Sequence, residues 1–117
     1  MSYVDGFVLA VPKANLERYK AMAKLAGSVW MEHGARAYVE AAADDVPMGE
    51  LTSFPRAVQA KDDELVVFSY VVYESRAHRD EVMTKVMADP RLKCDVEGMP
   101  FDGKRMFLGG FQPFLEL

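Results

Sequence analysis

A chain of 117 residues that is 50% hydrophobic and 27% charged can bury roughly two-thirds of the surface its unfolded form exposes, so it needs no disulfide or metal staple, and disordered or fibrous classes are excluded. Its net charge of −4, with basic residues scattered among acidic ones, leaves no basic face for phosphates and excludes a nucleic-acid partner. No apolar run approaches the roughly 20 residues that cross a bilayer, and the opening MSYVDGFV lacks the basic start of a signal peptide, so a soluble, cytoplasmic protein with no membrane partner is expected.

Tyr3–Val11 alternates as a strand, with Asp5, Phe7, Leu9 and Val11 on one side and Val4, Gly6, Val8 and Ala10 on the other. Pro12 ends it. Leu16, Tyr19, Ala23, Ala26 and Trp30 then recur at helical spacing, with Asn15 as the expected N-cap and Gly34 as the stop. Ala35–Ala43 reads as a second strand, left at Asp44–Asp45 and Pro47.

The connection that follows is well beyond the usual length of about 4–6 residues, and such loops serve as lids or partner contacts. LVVFSYVVY at 65–73 is the strongest strand signal in the chain. Ser75 is placed to cap a second helix carrying Val82, Met83, Val86 and Met87, which Asp89–Pro90 stops. A turn at Pro100–Gly103 leads into a last strand, about Lys104 to Phe114.

The order β-α-β, loop, β-α-β, with no separating linker, predicts one domain over residues 1–117. The simplest architecture is α+β and ferredoxin-like (βαββαβ): one four-stranded antiparallel sheet with two helices on one face. The third strand is apolar on both sides apart from Ser69, and the last strand is similar, so the helix-free face is expected to be covered. A second copy of the chain is the most economical cover, which predicts a homodimer.

Cys94 is the only cysteine, which rules out an intrachain disulfide. His33, His78 and Cys94 stand at no metal-ligand spacing, so structural roles are expected for all three, with no metal and no cofactor.

Several stretches carry a resemblance: YVDGFVLAVPK at the start, DDVP and TSFPRAV in the middle, ELVVFSYVVY, SRAHRD and MADPR, and MPFDGKRMFLGGF near the end. Together they resemble the YbaA-like proteins, a family of unknown function, over nearly the whole chain. The resemblance implies the dimeric α/β-barrel superfamily, in which two ferredoxin-like sheets face each other as a homodimer. It implies no activity, because that superfamily holds several unrelated chemistries. Ala42–Ala43 stand where the family often has an aromatic residue and glycine, which puts a pocket wall built from that aromatic in doubt.

Asp5 lies mid-strand on an apolar side, where a carboxylate needs a partner such as Arg56, Lys104 or Arg105, or else serves as a polar group in a cavity beside the sheet. Phe54 and Arg56 sit in the long connection, as partner contacts or as a lid. Asp44, Asp45 and Asp102 are read as turn-forming rather than metal-binding. Lys104 and Arg105 follow the Asp-Gly turn, from which a guanidinium can fork onto a carboxylate of the protein or of a small acid. Tyr70 and Ser69 offer hydroxyls on opposite faces.

Gly109–Gly110 reads as a bulge or a close approach rather than a phosphate loop. Asp5, Phe54, Arg56, Tyr70, Asp102, Lys104 and Arg105 are thus the candidate ligand-binding residues, and none is assigned as catalytic. Two functions stay open. One is a homodimer binding a small, partly apolar molecule in a cavity beside the sheet, as a binding protein or a cofactor-independent enzyme. The other is a non-catalytic stress or interaction protein whose sheet face serves assembly alone.

Overall fold

The computed structural model describes residues 2–93 and 98–117, so the expectation for Cys94 falls outside the described residues. The elements are β1 (Tyr3–Pro12), α1 (Leu16–Glu32), β2 (Ala37–Ala42), α2 (Phe54–Ala57), β3 (Glu64–Tyr73), α3 (Arg76–Ala88) and β4 (Phe107–Phe111), with 3-10 turns at Lys13–Asn15 and Pro90–Leu92. The strands form one antiparallel sheet in the order β2-β3-β1-β4. This is an α+β fold in which the longest strands, β1 and β3, occupy the centre.

The period-2 pattern sorts the side chains. Leu9 and Val11 of β1 and Val67 of β3 pack on Tyr19 and Ala23 of α1, while Tyr3, Val71 and Tyr73 pack on Val29 of α1 and on Val82 and Val86 of α3. Both long helices therefore cover one face. On the other face Val8, Ala10 and Val66 are covered by Val58, Ala43 and Ala60, which belong to the connection between β2 and β3. Beyond that cover Phe68, Phe107 and Phe111 are 43%, 44% and 65% exposed. The helix-free face of this chain is half covered and half open.

The helix ends follow local chemistry. Ser75 Oγ accepts the His78 N–H at 3.0 Å and caps α3. α1 closes in a Schellman motif: Gly34 takes φ 112°, its N–H reaches Met31 O at 3.1 Å, and the Ala35 N–H reaches Trp30 O at 3.0 Å. Asn15 does not cap α1 as expected; its side-chain amide donates to Pro100 O at 3.1 Å and ties the helix start to the 98–106 segment.

Two expectations about element extent are corrected. The connection after β2 holds a helical turn, because Ser53 Oγ accepts the Arg56 N–H at 3.1 Å and Pro55 presets the first turn. β4 has five residues instead of running from Lys104 to Phe114, since Arg105 is drawn into a turn, its N–H reaching Asp102 O at 3.3 Å. β4 pairs with β1 in continuous register, so no bulge forms. Gly110 is instead a close approach, where an added Cβ would collide with the Tyr3 hydroxyl. No helix among the described residues is long and apolar enough to cross a membrane.

Candidate functional site

The residues singled out in sequence do not meet at one site: Asp102, Lys104 and Arg105 share a turn, Phe54 and Tyr70 flank Phe68, and Asp5 and Arg56 have other partners. Asp5 is 4% exposed and lies on the helix side, where Arg79 Nη1 of α3 donates to its Oδ1 at 3.1 Å. Its partner is therefore Arg79, and not Arg56, Lys104 or Arg105. The Arg79 guanidinium also stacks over the Tyr3 ring at 5.0 Å. Burial raises the Asp5 pKa above the ordinary carboxylate value, an effect that Arg79 only partly offsets.

Arg105 closes on Glu64 with Nη1–Oε1 and Nη2–Oε2 distances of 2.6 Å each, and its Nε donates to Asp102 at 3.0 Å. Asp102 also accepts the Lys104 N–H at 3.0 Å, which is the turn-forming role expected of it; the Lys104 side chain is exposed. Arg56 donates to Met48 O at 2.9 Å and Gly49 O at 3.2 Å, holding its own loop. Phe54 meets Phe68 edge-on at 5.9 Å, and Tyr70 lies beside Phe68 at 6.2 Å, both on the helix-free side. Tyr70 and Ser69 take opposite faces, as their spacing dictates.

Both histidines are engaged structurally: His33 Nε2 lies 2.9 Å from Asp89 Oδ2, and His78 Nδ1 accepts the Glu74 N–H at 3.0 Å. Among the described residues no three His, Cys, Asp or Glu side chains gather as a metal site.

A different set does converge. Tyr38 and Glu40 alternate along β2 and so share the face beneath α1. The Tyr38 hydroxyl donates to Glu40 Oε2 at 2.7 Å, and the Tyr19 hydroxyl of α1 donates to Glu40 Oε1. Burial and the bond to Glu40 push both phenol pKa values well above their ordinary value, so these hydroxyls stay protonated as donors. Ser69 is the direct cross-strand partner of Glu40.

Gly27 makes this packing possible, because a Cβ there would fall 2.8 Å from Tyr38 Cδ1. One turn further along α1, Trp30 meets Tyr38 at 5.8 Å and donates its indole N–H to the Tyr73 hydroxyl at 3.0 Å. Tyr19 meets Phe101 edge-on at 5.6 Å.

Tyr19, Trp30, Tyr38, Glu40, Ser69 and Phe101 line a cavity of about 190 Å³ between α1 and the sheet, whose other walls include Phe7, Leu9, Met22, Ala26, Val71 and Met106. Tyr19, Ala23, Tyr38 and Glu40 also line an open groove of about 380 Å³ along the β2 edge, where Lys20 and Lys24 stand. Glu40 and its two tyrosines thus form the shared wall of an inner chamber and an outer groove. A carboxylate held by two phenols and facing a hydroxyl in an apolar chamber can orient a ligand by hydrogen bonding or exchange a proton with it.

The fold and this chamber define an α+β protein with a small cavity between a four-stranded sheet and its helices. Residues 2–103 match the family described as "Protein of unknown function (DUF1428)". The chain is also 48% identical over 116 residues to the uncharacterized protein YbaA of Escherichia coli K12 and to that of Shigella flexneri, the match covering 99% of this chain and 99% of each relative. The chain belongs to this YbaA-like family of proteins of unknown function.

Proposed function

We propose that the chain is a small-molecule-binding protein whose ligand, small and partly apolar, occupies the chamber between α1 and the sheet. One observation carries this reading: the polar groups Tyr19, Tyr38, Glu40 and Ser69 converge on a cavity whose other walls are apolar and aromatic. The same groups supply the donor and acceptor that cofactor-independent acid–base chemistry requires.

We further propose a cytoplasmic homodimer of the dimeric α/β-barrel type. The strand order read from the other edge, β4-β1-β3-β2, with crossovers through α1 and α3, supports a ferredoxin-like arrangement. The open patch of Phe68, Phe107 and Phe111 supports a second copy as its cover. The rival reading, a non-catalytic protein whose sheet face serves assembly alone, accounts for that patch and leaves the chamber on the opposite face without a role.

Trp30 is the only tryptophan and lines the chamber, so its emission reports ligand entry. Titration with a set of small neutral, acidic and basic aromatic and alicyclic compounds is expected to give a saturable change for at least one of them. That change should be lost in Ala26→Phe, which fills the chamber, once circular dichroism has shown that the variant is folded. No saturable change with any compound, or binding that survives the filled chamber, overturns the reading.

A further inference from the structure

The charge and ring content of the chamber narrow its ligand class, on the reading that the chamber is the binding site. We propose that the inner chamber selects a small apolar cation, a protonated primary amine on a compact hydrocarbon or aromatic body. Two aromatic pairs, Trp30–Tyr38 at 5.8 Å and Tyr19–Phe101 at 5.6 Å, flank the chamber and are joined at Glu40 through the two tyrosine hydroxyls. An ammonium group is attracted to aromatic faces by the ring quadrupole, most strongly where water is excluded.

Glu40 supplies the countercharge at the seam between the pairs. Its two phenol donors take one hydrogen bond on each oxygen, while a carboxylate has about four acceptor sites, so capacity remains for a ligand N–H. Ser69, opposite Glu40 in the sheet register, adds a hydroxyl on the same wall.

No cationic side chain among the described residues lines the inner chamber. Lys20 and Lys24 line the outer groove, on the other side of the tyrosine–glutamate wall. A ligand anion in the chamber would meet Glu40 with no partner for its own charge, whereas an amine meets both a carboxylate and aromatic faces. The size is suitable as well: a cavity of about 150 Å³ admits a benzene ring, and this one measures about 190 Å³.

The test is titration of the wild-type protein with benzylamine, benzyl alcohol and benzoate at neutral pH, followed by Trp30 emission and by calorimetry. Benzylamine is expected to bind at least about tenfold more tightly than benzyl alcohol, and benzoate more weakly than either. In Glu40→Gln, with folding verified by circular dichroism, the preference for the amine over the alcohol should disappear. The comparison among ligands needs no variant, so it stands even if Glu40→Gln does not fold. Equal or tighter binding of the alcohol or of benzoate overturns the inference and leaves the chamber as a binding site. So does an unchanged amine preference in folded Glu40→Gln. If none of the three binds while another compound of the wider set does, the ligand class is wrong; if nothing in that set binds, the site itself falls.

Discussion

The Arg105 guanidinium meets the Glu64 carboxylate through two hydrogen bonds of 2.6 Å each, with only 3% of the Glu64 side chain exposed. This fork ties the segment before β4 to the start of β3, and it gives Asp102 and Arg105 of the FDGKRM block at residues 101–106 a structural role. Arg105→Met strands a buried carboxylate and is expected to cost roughly 3–5 kcal/mol in urea unfolding. Lys104→Ala, at an exposed side chain, should stay within about 0.5 kcal/mol. The hydrogen bonds from Arg105 lower the Glu64 pKa below its ordinary value. The stability they supply is present above the unfolded-state pKa and disappears as pH falls through the lower folded-state value. Equal stabilities of Arg105→Met and wild type would show that the fork holds nothing.

Asp5 carries the opposite sign. Burial raises its pKa in the folded state, so its contribution is fully present below the unfolded-state value and is lost as pH rises through the folded-state value. The stability of wild type relative to Asp5→Asn is therefore expected to be greatest in acid and to decline toward neutrality, measured by urea unfolding between about pH 3.5 and 7. A difference that grows with pH would contradict the assignment.

Much of the fold was legible because its signals are local. The alternation of β1, the β-branched and aromatic run of β3, the Ser75 cap and the Gly34 stop are each set by residues within a turn of where they act. The Ser53–Phe54–Pro55 start of α2 was equally local, but a four-residue helix has too little periodicity to stand out. The site was not legible because its residues meet only through tertiary packing. Asp5 and Arg79 are 74 positions apart, and Tyr19 and Glu40 are 21 apart. The available hint was Tyr38-x-Glu40, two polar tips on one side of a strand otherwise built of alanine and valine. Ser69, the single interruption of β3, pointed to the same wall.

Gly27 is required by the Tyr38 ring rather than by helix geometry. Gly27→Ala gains about 1 kcal/mol of helix propensity, but its Cβ would lie 2.8 Å from Tyr38 Cδ1. The ring must shift, which should alter near-ultraviolet circular dichroism and Trp30 emission and hold stability below the propensity gain. An unchanged spectrum with a full gain of about 1 kcal/mol would show that the contact is not tight.

The open sheet patch makes assembly measurable. Light scattering is expected to give twice the chain mass of 13.1 kDa at micromolar concentration, with an interface of about 1,200–2,000 Å² in total. Phe111→Glu, which places a charge on this face, should shift the population to monomer without unfolding it. A wild-type monomer would contradict the proposed dimer.

That a ligand sits in the chamber beside Glu40 can be read from methyl NMR of the methionines. Met22 and Met106 line the chamber, whereas Met48 and Met87 are exposed elsewhere on the chain. With methionine methyls labelled, titration with the small aromatic and alicyclic set should move the Met22 and Met106 resonances together and saturably, leaving Met48 and Met87 in place. Ligands that move only Met48 or Met87, or a set in which none moves Met22 and Met106, would contradict it.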